Sequence, residues 1–250
     1  MSKVLAILVG ALCFSGIANA NANANANANA NANNNYIPIL YNLSTILDFN
    51  PVKGPIKSLD EHVVANGKEI QEIKLNFDNG FCVENLTINR PTEGYSLELK
   101  LKGSVLEGKK NGKPFSIELS KDCNLHTVND NGDKMEYTLN SNGMIKDTFF
   151  LGSKVSEHFY DKESNFVRSV FLFEDKVLSK NEVTYADSHE RPLDYKITNS
   201  SGSSDGFIAT NSCEYSEQLV PKLCQLTVQK TDSPPSKPTE MTVSTKVEFY

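Results

Sequence analysis

From Tyr95 to Lys102 the chain reads Tyr-Ser-Leu-Glu-Leu-Lys-Leu-Lys, apolar at every second position. That period turns one face of a β-strand to a core and the other to water. The alternation returns in Phe115-Ser116-Ile117-Glu118-Leu119 and from Lys134 to Leu139. Asn111-Gly112 and Asn131-Gly132 precede these two runs, and Asn66-Gly67 separates Ile56–Val64 from Glu69–Asn76. Asn-Gly is the dipeptide that a two-residue hairpin turn prefers, because both of its residues tolerate positive φ. Asp78-Asn79-Gly80 is a further turn, answered by a returning run from Phe81 to Ile88. Ser58 to Ile73 is rich in Glu and Lys, so a helix is the alternative there; the Asn-Gly in its middle favours two strands.

The second half repeats a tyrosine placed just before a polar turn. Tyr137, Tyr160, Tyr185 and Tyr215 hold this position, followed by the apolar runs Met144–Phe150, Phe166–Phe173, Leu193–Ile197 and Leu223–Val228. A tyrosine suits such a site, since its ring can lie on the sheet while its hydroxyl reaches the wet turn. Ahead of all these runs, Ile37–Tyr41 and Thr45–Phe49 read as ordered segments, and Pro51 to Pro55 as a turn or edge. Ser200 to Gly206 is a polar loop. The fold expected is all-β: an antiparallel meander of hairpin repeats forming a large twisted sheet, a sandwich or a partly closed barrel. Its alternating apolar faces need a second layer or curvature to cover them.

The first residues set the compartment. Lys3 precedes a short apolar stretch from Val4 to Ile17, and Ala18-Asn19-Ala20 offers the small residues of a cleavage site. Residues 1–20 read as a secretory signal. Residues 21–35, an Ala-Asn tract, read as a disordered tether, because Ala and Asn are poor strand formers and bury almost nothing. Residues 36–250 then form a single all-β domain, periplasmic or secreted. Four cysteines remain beyond the signal, Cys82, Cys123, Cys213 and Cys224, an even number that fits an oxidising compartment and allows three pairings. Cys213 and Cys224 face each other across a local turn, which favours that pair and leaves Cys82 with Cys123.

Composition narrows the function without fixing it. The 25 basic and 31 acidic residues give a net charge of -6, and they are interleaved along the chain. That pattern lacks the basic patch a nucleic acid requires. No nucleophile elbow, HExxH pair or phosphate-cradling glycine loop occurs. His62, His126, His158 and His189 stand singly, and the Asn/Asp run 129–133 lacks the spacing of a calcium loop. No cofactor and no metal site is expected, and catalytic residues are unassigned. A non-enzymatic envelope module binding a partner protein or ligand is favoured. A hydrolase or lyase using Asp/Glu residues, and a carrier of a lipid-like ligand, are the alternatives.

The segments Leu47–Lys57, Ser212–Tyr215, Cys224-Gln225-Leu226 and Phe249-Tyr250, with the order of the four cysteines, resemble the YnfC-like family of bacterial envelope lipoproteins. The resemblance implies an extracytoplasmic protein anchored through a lipidated cysteine and supplies no catalytic residues. Cys13 is the residue such an anchor would use, as a membrane tether through an N-terminal lipid. It follows Leu12, where lipidation needs a small residue, and it precedes the end of the apolar core, so cleavage near Ala20 and a free protein are preferred.

Overall fold

The computed structural model describes residues 36–161, 165–187, 191–202, 206–217, 219–231 and 237–250. The expected signal, the Ala-Asn tract, Cys13, His189 and the centre of the Ser200–Gly206 loop lie outside them. Among the described residues, sixteen strands follow one α-helix. The helix is α1 (Pro38–Leu47), and the first strands are β1 (Ile56–Ala65), β2 (Lys68–Phe77), β3 (Val83–Arg90) and β4 (Tyr95–Lys102). Next come β5 (Val105–Lys110), β6 (Lys113–Leu119), β7 (Leu125–Asp130), β8 (Asp133–Leu139), β9 (Ile145–Phe150) and β10 (Ser153–Tyr160). The last six are β11 (Phe166–Phe173), β12 (Lys176–Asp187), β13 (Arg191–Ser201), β14 (Phe207–Tyr215), β15 (Pro221–Lys230) and β16 (Thr239–Phe249).

Every strand pairs antiparallel with its neighbour in sequence, and β16 closes on β1 through a register running from Ile56↔Phe249 to Ala65↔Met241. Of the three architectures open to the sequence, the chain takes barrel closure and completes it. Closure removes both free edges, which a meander of this length would otherwise expose. The Asn-Gly turns supply the expected geometry: φ is 51° and 72° at Asn66-Gly67, 51° and 77° at Asn111-Gly112, and 54° and 101° at Asn131-Gly132. The run 129–133 is one of these turns, with Gly132 N donating to Asn129 Oδ1 at 2.8 Å.

Alternation decides which face is which. On β4 the inward Leu97 and Leu99 are buried, while Ser96, Glu98, Lys100 and Lys102 are exposed. Outward charges pair across strands, as at Lys102–Glu107 (2.5 Å), and along a strand, as at Lys134–Glu136 (2.7 Å). A barrel wall facing lipid carries the reverse pattern, apolar outward and polar inward. Among the described residues no helix is long and apolar enough to cross a membrane.

A barrel of this many strands is too wide for its own side chains to fill, and α1 fills it. Pro38 opens the helix at its first turn, where a missing N–H costs nothing. Ile39, Leu40, Leu43 and Leu47 are buried against Leu86, Ile88, Leu97, Ile117 and other inward residues of β1 to β9. The two short apolar segments around Tyr41 and Ile46 are thus one helix, apolar nearly all round because it is enclosed by sheet. Asn42 pins it: its Nδ2 donates to Asn124 Oδ1 (2.9 Å) and Gly143 O (2.8 Å), and its Oδ1 accepts from Ile145 N (3.0 Å). Gly143 sits at φ 77°, and a Cβ there would lie 3.1 Å from Pro38 Cβ. At the other end Arg90 Nη2 donates to Leu47 O (2.9 Å), supplying a cation where the helix carbonyls are unpaired. The chain then returns through Phe49 and Val52 to the start of β1.

The tyrosine series is real, but its hydroxyls do not end in water. Tyr160 donates to Ile145 O and Tyr185 to Phe166 O, both at 2.8 Å, and Tyr215 accepts from Leu193 N at 2.9 Å. Each joins the end of one strand to the beginning of the strand before it. Tyr137 differs, its hydroxyl lying 3.9 Å from Met135 Sδ. The disulfides are Cys82–Cys123 and Cys213–Cys224, with Cα separations of 5.3 and 4.0 Å.

Candidate functional site

The interior has two unlike walls. Strands β2 to β8 turn Leu, Ile, Val and Phe inward onto α1. Strands β10 to β13 turn inward two rows of uncharged polar residues instead. The first row, read across the register, is His158↔Ser169↔Asn181↔Asn199, and the second is Ser156↔Phe171↔Ser179↔Ser201. Residues directly opposite in an antiparallel pair stand about 5 Å apart, so the rows form one contiguous strip. Ser169 and Asn181 are fully buried and Ser179 nearly so, whereas Asn199 and Ser201 are half-buried and lead toward the rim formed by the turns.

The strip's hydrogen bonds are incomplete. Asn199 Nδ2 donates to Asn181 Oδ1 at 2.7 Å, and Ser156 Oγ lies 3.1 Å from His158 Nε2. Ser169 Oγ, Ser179 Oγ and Asn181 Nδ2 are buried without a protein partner. Leaving a buried hydroxyl or amide unsatisfied costs about 1–3 kcal/mol. Three on adjacent strands concentrate that cost in one part of the barrel. Burial, opposed by the Asp147 charge, pushes His158 down to about 4, so its imidazole is neutral near pH 7.

A serine beside a histidine invites a catalytic reading, and the geometry argues against one. A base with so low a pKa has little driving force to take a hydroxyl proton at neutral pH. No carboxylate stands in either row to orient the ring. The Asp and Glu side chains that the hydrolase alternative relied on are elsewhere. Most are on the outer face, and Glu61 is locked inside, where both carboxylate oxygens accept from Asn50 N (3.3 and 3.2 Å) and Oε2 from Thr245 Oγ1 (3.4 Å). Burial pushes Glu61 up to about 8, against the lowering effect of these hydrogen bonds.

The sequence reading treated the histidines as isolated, and His62 is not. On the outer face of β1 and β2 its Nε2 lies 3.2 Å from Asp60, its Nδ1 bonds Glu69, and Glu72 stands opposite it in the register. The ligand atoms of Asp60, His62 and Glu72 lie within 4.8 Å of one another. Glu72 is paired with Lys74 at 2.5 Å and His62 is bonded on both ring nitrogens, so the group reads as a surface polar cluster. At the barrel's opposite end from the strip's rim, a cleft of about 390 Å³ lies beside the start of α1, lined by Tyr36, Ile37, Pro38, Pro55 and Phe81. Its walls are largely apolar, the chemistry expected of a carrier for a lipid-like ligand. The polar strip itself went unseen in the sequence, although Ser169, Ser179 and Asn181 occupy positions where the alternation calls for apolar residues. That break in the pattern was the available signal.

A family model described as an uncharacterised protein family, UPF0257, matches residues 21–250. Lipoproteins of that family, named YnfC, from Salmonella dublin and Salmonella typhimurium are each 21% identical over 86% of this chain and 90% of their own length. Among solved structures, a porin-like protein from Bacteroides uniformis is similar with a TM-score of 0.44 and 9% identity, covering 78% of this chain and 97% of its own.

Proposed function

The chain belongs to the uncharacterised protein family UPF0257, and we propose that it is a non-enzymatic binding module of the cell envelope whose ligand sits inside the barrel against the polar strip of β10 to β13. One observation carries this reading: Ser169, Ser179 and Asn181 present buried polar atoms that no protein group satisfies. The outward charges support a barrel that works in water, and the enclosed helix supports a receptacle with a floor rather than a channel. Relatives named lipoproteins support attachment at a membrane surface.

Native mass spectrometry of the protein purified from an exporting host tests this. The expected result is a bound small molecule whose occupancy falls in a Ser169→Val/Asn181→Leu double variant. A retained lipid whose occupancy ignores the double variant, and instead responds to Phe81→Ser, would overturn the reading in favour of the apolar cleft beside α1.

A further inference from the structure

Building on the interior site just proposed, we infer that its ligand is an uncharged polyhydroxylated molecule, a sugar or short neutral glycan, held through its hydroxyl groups by Ser169, Ser179 and Asn181. Three features of the strip select this class.

The first is charge. Neither polar row contains an Asp, Glu, Lys or Arg. An ionic ligand entering this wall would shed its hydration and meet no counter-charge, a cost far above that of a neutral polar group. His158 adds no charge at neutral pH, since burial keeps its imidazole unprotonated.

The second is hydrogen-bonding character. Asn181 Nδ2 only donates, while the two serine hydroxyls donate or accept. A ligand hydroxyl does both and so meets all three atoms without a mismatch; a pure donor such as an ammonium would leave the amide facing another donor. Ser169 is directly opposite Asn181, about 5 Å away, and Ser179 is two residues along the same strand, about 7 Å. Those separations are on the scale of hydroxyls around a single sugar ring.

The third is the apolar partner. Phe171 lies between Ser156 and Ser179 in the second row, and Phe166 packs 5.9 Å from the His158 ring. Sugar rings carry C–H faces as well as hydroxyls, and an aromatic beside a hydrogen-bonding strip accommodates both. Half-buried Asn199 and Ser201 continue the rows of uncharged polar side chains toward the rim.

The test is titration of the intact mature protein, followed by amide chemical shifts, with glucose, N-acetylglucosamine and their disaccharides. Glucuronate and glucose 6-phosphate serve as charged counterparts. The expected result is saturable binding of at least one neutral sugar, with shifts centred on β10 to β13. Charged counterparts should bind at least about tenfold more weakly, and Ser169→Ala or Asn181→Leu should weaken the neutral sugar by about tenfold, the loss of one hydrogen bond. Both substitutions should leave the far-wall shifts unchanged, which separates lost binding from lost folding. The inference fails if no neutral sugar binds in the millimolar range, or if a charged counterpart binds as tightly. A different small molecule found by native mass spectrometry would leave the interior site standing and refute the ligand class alone.

Discussion

The two interior walls of this barrel were built on the same alternation and spent on different ends. On β3, Leu86 and Ile88 face inward and are buried against α1. On β11 and β12, the equivalent inward positions hold Ser169, Ser179 and Asn181, buried as deeply, with both hydroxyls and the Asn181 Nδ2 unpartnered. Apolar groups gain from burial and polar ones lose by it unless they are bonded. One wall therefore holds the molecule together, and the other carries a local cost that evolution tolerates where a ligand can repay it. Both walls are equally well secured by backbone pairing, so the difference lies in side chains alone.

The sharpest way to break the contrast is to damage the packed wall's attachment to its helix. Asn42→Leu keeps the volume but strands the buried Ile145 N–H and takes one of two hydrogen bonds from Gly143 O and from Asn124 Oδ1, which keep Asn124 Nδ2 and Leu125 N as partners. A loss of about 4 kcal/mol is expected by urea unfolding, about 1–3 kcal/mol for the stranded Ile145 N–H and about 1 for each of the two other bonds. Next in size is Leu86→Ala, which opens a cavity under α1 and should cost about 3 kcal/mol. If Leu86→Ala costs no more than an exposed substitution such as Glu98→Ala, the packed wall is not what stabilises the fold.

How much of this was legible beforehand follows from range. The strands, their Asn-Gly turns and the Cys213–Cys224 pair are local matters, and alternation over a few residues displays them. Closure is not local: the pairing of Leu59 with Val247 joins the two ends of the chain, and no window of sequence contains both. The helix was hidden for a different reason. Enclosed in sheet, α1 lost the polar face that makes a surface helix recognisable, and its residues read only as two ordered segments. The tyrosines were placed correctly and their hydroxyls wrongly, because a backbone partner on the preceding strand exists only after pairing. At the polar strip the sequence did show the anomaly, in serines and asparagines where the period of two expects apolar residues.

Protonation separates the two walls in opposite directions. Glu61, which holds the return from α1 on the β1–β16 seam, is raised from an ordinary glutamate value to about 8 by burial. The folded protein therefore retains a proton that the unfolded chain releases above about pH 4.5. Stability should fall as pH rises from about 5 to 8 and level off beyond. His158 is lowered to about 4, so here the unfolded chain binds the extra proton. Its contribution is complete above about pH 6.5 and is lost as pH falls toward 4. Unfolding curves of Glu61→Gln should show a shallower alkaline decline, because burial also raises Asp48 to about 7 against the lowering effect of Arg90, and should keep the acidic one. His158→Gln should keep the alkaline decline and show a shallower acidic one. A Glu61→Gln profile indistinguishable from the parent's would mean that the carboxyl is ionised in the fold and the seam is held otherwise.

The smallest expected effect is the most telling about the polar wall. Ser169→Ala deletes a buried, unpartnered hydroxyl and adds nothing in its place, so it removes no protein hydrogen bond and relieves a desolvation cost. Stability without ligand should change by less than about 1 kcal/mol, and in the direction of a gain, as read from the urea midpoint at unchanged slope. A residue serving the fold would behave like Leu86 and lose several times as much. A residue serving a ligand behaves as Ser169 is expected to: it is dispensable to the empty barrel, and its absence is noticed only when the barrel has something to hold.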